Sequence, residues 1–273
     1  MSGRHGFSRR SIASLMAATE RAVEADTLAR GRGLLQPIDP RVKLAGLLAL
    51  ILAAVLSQKL WPIAAIWLLA IALAGFCGRA VLRAMAPVWL AVLGFTGAIA
   101  VPAILLTPGA AVYRIPGLDW DLTLPGLASA AFLILRVETS ATLALLLVLT
   151  TPWARVLKAL RVLRVPVVFV VTLGMAFRYI LLLLETASQM FESRQSRTVG
   201  KLSGREHRRL AVASGGVLLT KTVAMSGEVY LAMQSRGFRG EVWLLDEFQM
   251  GRRDWAALTL FAAASAAAIL AGR

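Results

Sequence analysis

Five long apolar runs, at 44–56, 61–76, 86–106, 124–149 and 255–270, constrain this chain more than any other feature. A backbone inside hydrocarbon must satisfy its own hydrogen bonds, which leaves only helices and closed barrels as spanning structures. Each run is read as a membrane-crossing helix. The first two are near the lower limit of the roughly 17 to 25 residues that cross a bilayer, and the "SQKLWP" between them predicts a tight hairpin. Hydrophobic residues make up 58% of the chain and charged residues 16%, whereas soluble domains carry about 45–50% apolar residues. The expected fold is all-α, a polytopic membrane protein with about five transmembrane helices.

Charge sets the orientation. Thirty Lys and Arg against fifteen Asp and Glu give a net charge of +15. Residues 151–240 hold fourteen basic and four acidic groups, and 44–150 hold only five and three. Basic residues gathered between apolar runs mark cytoplasmic segments. Nucleic-acid binding would instead call for exposed aromatic platforms among the cations; aromatic residues are only 7% and sit mostly near expected membrane boundaries, which argues against it.

Four segments follow. Residues 1–38 are expected to form an amphipathic cytoplasmic segment, with Phe7, Ile12, Leu15, Met16, Ala22 and Val23 at helical spacing. Residues 39–150 hold four crossings. Asp39 and Pro40 have the chemistry of a helix start, and Arg41 and Lys43 place that end in the cytoplasm. Arg79 and Arg83 are read as a cytoplasmic loop, and 107–126 as an external loop rich in Gly, Pro and Asp. Residues 151–240 are a basic cytoplasmic or interfacial coupling region. The stretch 166–184 is apolar enough to span, but basic clusters at both ends favour the cytoplasmic surface. A further cytoplasmic helix is expected over 207–236, weakened by Gly215 and Gly216. Residues 241–273 supply a linker and an alanine-rich last crossing suited to close packing. Within the 124–149 run, Arg136 and Glu138 must face protein or water, because an unpaired arginine at mid-bilayer costs about 2.5–3.5 kcal/mol. Two roles fit them, a structural charge inside the bundle or part of a partner seam or proton route.

Catalytic and metal chemistry find little support. The sequence suggests no carboxylate dyad. The single cysteine, Cys77, precludes an intrachain disulfide, and His5 and His207 lack company for a metal. "GGVLLTKTV" lacks the glycine that precedes the lysine of a phosphate loop, so any ATP and Mg must be bound by another chain.

Two segments end alike. Ser193-Arg194-Gln195-Ser196-Arg197 and Ser235-Arg236-Gly237-Phe238-Arg239 both read Ser-Arg-x-x-Arg, and each follows a methionine. Arginine in a last helical turn complements the dipole, and a following glycine suits a left-handed cap. A pair of such ends also offers two guanidinium groups for paired acidic grooves on a two-fold partner.

With these ends, "IDPRVKL" (38–44), "RVLRVPVVFVVTLGMAFRYILLLLETASQM" (161–190) and "YLAMQSRGFRGE" (230–241) resemble the transmembrane T component of energy-coupling factor (ECF) transporters. The resemblance runs over nearly the whole chain, and the N-terminal region is similar to the cobalt/nickel branch. It implies a non-catalytic scaffold of an ABC-type importer in the bacterial cytoplasmic (inner) membrane, joining two ATP-binding cassette ATPase subunits to a membrane substrate-binding subunit for uptake of cobalt or nickel ions. The ATPases would dock on small Ala/Ser-Arg-Gly motifs. Carried onto this chain, one motif is Ser235, Arg236 and Gly237 and the other Ser196 and Arg197, with Thr198 where the family commonly has glycine. Arg194, one turn earlier, is an alternative contact for the first. A self-contained channel or secondary transporter, and a membrane-embedded enzyme, are the competing readings.

Overall fold

A computed structural model describes residues 17, 20, 24–31, 33–106, 111–115, 120–197, 203–239 and 250–273. The expected N-terminal amphipathic helix falls largely outside them, as do Thr198 and most of the linker before the last crossing. Eight helices and one two-stranded ribbon are labelled here: α1 Pro40–Leu56, α2 Leu60–Cys77, α3 Arg79–Leu106, β1 Ala111–Ile115, β2 Trp120–Thr123, α4 Leu124–Thr150, α5 Trp153–Val162, α6 Val167–Arg197, α7 Gly204–Ser235 and α8 Arg252–Gly272.

Among the described residues, six helices are long and apolar enough to cross a membrane: α2, α3, α4, α6, α7 and α8. The protein is an all-α polytopic membrane protein, close to the five crossings expected. The two sets differ at α1, whose 17 residues make it the shortest of the expected spans to fold as a helix, and at α6 and α7, which sequence places at the cytoplasmic surface. One local expectation is corrected. Arg79 and Arg83 are not a loop; Gly78 alone makes the turn, at φ +118°, a conformation that glycine adopts without steric cost, and the helix resumes at Arg79. The segment read as an external loop contains the antiparallel pair β1 and β2, with Ile115 opposite Trp120.

The described chain divides into two compact units. The first holds α1 to α4, most of α5, and α8. Its core lies where Leu47, Leu50 and Ala53 of α1 meet Ile63, Ile66 and Ala70 of α2, Leu143 and Leu146 of α4, and Phe261 and Ala268 of α8. Against lipid, apolar burial gives little net drive, so small residues and hydrogen bonds between helices matter more. Gly46 of α1 sits so close to Phe261 that an added Cβ would fall 2.4 Å from the ring.

Polar ties fasten the helix ends. Asp39 caps α1, its Oδ1 accepting from the Arg41 amide at 2.9 Å, as its sequence predicts. The Asp39 amide in turn donates to Asp254 Oδ1 at 2.7 Å, joining the starts of α1 and α8. Lys43, buried, donates from Nζ to the Thr150 carbonyl at 2.9 Å, joining the start of α1 to the end of α4. At the other end of the bundle Gln58 N–H donates to the Gly272 carbonyl at 2.9 Å. Arg136 Nη2 donates to the Ser57 carbonyl at the end of α1 and lies 5.5 Å from the Phe132 ring centroid. A cation against the negative end of a helix is favourably placed, as a structural charge inside the bundle would be, and Arg136 Nε is buried with no hydrogen-bond partner among the described residues. Glu138, two positions on, is buried and its Oε1 has no hydrogen-bond partner among the described residues.

Candidate functional site

The second unit is built on α6 and α7, and both Ser-Arg steps sit at helix C-termini there. The helix α7 starts in a capping box, with Ser203 Oγ accepting from the Glu206 amide and Glu206 Oε2 accepting from the Ser203 amide at 2.7 Å. Gly215 and Gly216 do not break it. It ends in a Schellman motif: Phe238 N–H donates to the Met233 carbonyl at 3.0 Å and Gly237 N–H to the Gln234 carbonyl at 2.9 Å, with Gly237 at φ +79°. Two otherwise orphaned carbonyls are thereby satisfied. The turn leaves Ser235, Arg236 and Gly237 exposed, while Phe238 folds back to line a cavity with Met233.

At the end of α6 the serines adopt the same local geometry. Ser193 Oγ donates to the Met190 carbonyl at 3.0 Å, Ser196 Oγ to the Ser193 carbonyl at 2.9 Å, and Ser235 Oγ on α7 to the Ala232 carbonyl at 3.0 Å. Each hydroxyl is occupied by its own helix, so the neighbouring arginine is the group left to project. Ser196 and Arg197 are exposed, and neither Arg197 nor Arg236 makes an ion pair among the described residues.

Arg194 is placed differently. Its Nη1 donates to the Leu210 carbonyl at 3.0 Å and to Ser214 Oγ at 2.7 Å, both on α7, and Ser214 itself donates to the Leu210 carbonyl at 2.8 Å. This brace was not legible in sequence, because Ser214 lies in an unremarkable stretch of small and apolar residues twenty positions away.

The brace joins the end of α6 to the start of α7. Between the start of α6 and the end of α7 lies an apolar cavity of about 550 Å³, lined by Val168, Met175 and Tyr179 on one side and Met225, Val229 and Met233 on the other. The two helices therefore run antiparallel. From Ser214, beside Arg194, to Ser235 is about 30 Å along α7 at 1.5 Å per residue, so the arginine tips stand far apart at opposite ends of one hairpin.

No group of three or more His, Cys, Asp or Glu side chains that could hold a metal occurs among the described residues. Two comparisons with known proteins bear on the site. A family model described as CbiQ, cobalt transport protein, matches residues 31–244, a span that includes both Ser-Arg tips. An uncharacterized protein of Methanocaldococcus jannaschii, MJ1571, is 35% identical over 215 residues, covering 77% of this chain and 73% of that protein.

Proposed function

Because the chain belongs to the CbiQ family of cobalt transport proteins, we propose that it is the membrane scaffold of an ECF-type importer, coupling ATP hydrolysis by two partner ATPases to a substrate-binding membrane subunit for uptake of cobalt or nickel ions. The observation that carries this reading is the pair of exposed Ser-Arg helix ends on one hairpin. Arg236 and Arg197 each present a charged, forked donor suited to a carboxylate-lined groove. Arg194 braces α6 to α7, which favours Ser196 and Arg197 as the first docking motif. Their separation suits two grooves on a two-fold ATPase pair better than one.

Charge supports a cytoplasmic position for both tips. If α6 and α7 both crossed the bilayer as antiparallel spans, Arg197 and Arg236 would lie on opposite sides. Basic residues flank every end of this hairpin, from Arg155 to Arg164, from Arg194 to Arg209, and at Arg236 and Arg239. The positive-inside tendency favours all of them on one side, in the cytoplasm of a multi-pass protein of the cytoplasmic membrane.

ATP-driven closure of the ATPase pair would pull the two tips relative to each other, and the hairpin would carry that displacement to the substrate-binding subunit. Such coupling operates only if the tips are held differently in the two nucleotide states, since a partner with equal contacts in both shifts no equilibrium. The test is the double substitution Arg197→Ala with Arg236→Ala. A buried charge-assisted hydrogen bond is worth about 1.5–3 kcal/mol, so each loss should weaken ATPase association roughly ten-fold or more, measured by co-purification. Uptake in cells should be abolished while membrane insertion is unchanged; uptake at the wild-type rate would refute the docking assignment.

A further inference from the structure

A slot of about 1090 Å³ lies entirely within the first unit, where the stretch before α1 and the end of α2 meet the start of α8. Nothing in the transport reading uses it. Its α8 wall is graded along one helical face: Arg252 and Arg253 come first, Ala256 and Ala257 one turn on, and Leu260 a turn further. From Arg252 to Leu260 is about 12 Å at 1.5 Å per residue. Leu73 of α2 and Leu34 before α1 supply further apolar wall. The two alanines leave open a groove that larger side chains would fill.

The slot straddles the membrane interface. The 21 residues of α8 extend about 31 Å, which matches a hydrocarbon core about 30 Å thick. Trp255, in the first turn, is 57% exposed, and exposed tryptophans gather where hydrocarbon gives way to headgroups. Arg252 and Arg253 therefore stand at the level of lipid phosphates, and Leu260, 60% exposed, at the level of the upper acyl chains. The hydrogen bond from the Asp39 amide to Asp254 puts the starts of α1 and α8 at the same end of the bundle, the end that Arg41 and Lys43 mark as cytoplasmic.

Charge selects the headgroup. Asp254, the acidic residue in the wall, is buried, and both its oxygens are spent on amides: Oδ1 accepts from Asp39 at 2.7 Å and Oδ2 from Gly251 at 2.8 Å. The helix start is thereby capped already, and the side chains of Arg252 and Arg253 are what remains to meet an anion. Both are exposed, and neither makes an ion pair among the described residues. Two guanidinium forks with no acid to answer them favour a phosphate and disfavour a headgroup that carries its own cation. Basic pockets between helices on the cytoplasmic side are where anionic headgroups settle.

We infer that the slot holds an anionic phospholipid of the cytoplasmic leaflet, its phosphate on Arg252 and Arg253 and one acyl chain laid over Ala256 and Ala257 against Leu260 and Leu73. Held there, the lipid joins the stretch before α1, α2 and α8 across a gap that the protein's own side chains leave open.

The full chain in detergent, probed by native mass spectrometry with phosphatidylglycerol and phosphatidylcholine of matched chains, tests this. Phosphatidylglycerol should be retained about ten-fold more tightly. Each arginine near an anionic headgroup contributes a factor of about five, so Arg252→Gln with Arg253→Gln should cost phosphatidylglycerol about twenty-fold and bring it level with phosphatidylcholine. Ala256→Phe, which fills the slot without altering charge, should weaken both lipids and keep their ratio. Arg208→Gln with Arg209→Gln, an exposed basic pair on α7, should change neither lipid by more than about two-fold. Excess glycerol 3-phosphate should not displace the lipid, because it has no chain to fill the apolar part. The inference is overturned if phosphatidylcholine is retained as tightly as phosphatidylglycerol, or if the α7 pair matters as much as the α8 pair. Unchanged retention in Ala256→Phe, or displacement by glycerol 3-phosphate, would overturn it equally. Both α8 arginines are exposed, so their substitution keeps the test decisive should Ala256→Phe fail to fold.

Discussion

Arg194 and Arg197 lie within one turn of each other, and their surroundings separate them. The first spends its guanidinium on the Leu210 carbonyl and the Ser214 hydroxyl; the second has neither contact. Arg194→Ala should therefore destabilise the α6–α7 hairpin by about 1 kcal/mol, less than the roughly 1.5–3 kcal/mol of a buried charged hydrogen bond because the contact is partly exposed, and amide hydrogen exchange should quicken over the last turns of α6 and around Ser214. Arg197→Ala should leave exchange unchanged. The repeated Ser-Arg step was legible in sequence as a repeat. Which arginine braces the hairpin was not, because the answer depends on a hydroxyl brought near only by antiparallel packing. Arg136 teaches the same lesson: its type and depth showed that it must be compensated, and only the bundle shows that the Ser57 carbonyl does it.

Helix ends were readable where capping chemistry is local. Asp39-Pro40 starts α1 as expected and Gly237 takes the left-handed conformation that its place after a helix suggests. The end of α5 was not readable. Val165 N–H donates to the Leu160 carbonyl and Arg164 N–H to the Arg161 carbonyl, both at 3.1 Å, which is the Schellman pattern of Gly237 with an arginine at φ +65° in place of glycine. A left-handed conformation costs a non-glycine residue about 1–2 kcal/mol, partly offset by the extra freedom glycine has when unfolded. Arg164→Gly should thus raise stability by about 0.5–1 kcal/mol, seen as a higher thermal midpoint in detergent. The packing of α1 on α8 invites the reverse experiment. Gly46→Ala would gain helix propensity of up to about 1 kcal/mol, but its methyl would overlap Phe261. Overpacking of this kind costs about 1–3 kcal/mol, so the net effect should be a lower midpoint, and Gly46→Ala with Phe261→Leu should recover part of it.

For the whole molecule, a bundle pinned at both ends and a hairpin with two exposed arginine tips describe a part that works with others. A tagged chain purified in mild detergent should bring down two nucleotide hydrolases and a small membrane protein. The chain alone, reconstituted in vesicles, should support no ion flux; flux without partners would favour a self-contained transporter and direct attention to Glu138, the buried carboxylate in α4 whose Oε1 has no partner among the described residues. By itself the sequence determined the membrane class, the all-helical architecture and the family, since hydropathy, charge bias and short motifs are written in local order. Only the tertiary structure decided the pairing of Asp39 with Asp254, of Lys43 with Thr150, and of Arg194 with Ser214. Each of these hydrogen bonds joins residues remote in the chain, and a hydrogen bond acts over about 3 Å, so folding alone determines which donor finds which acceptor.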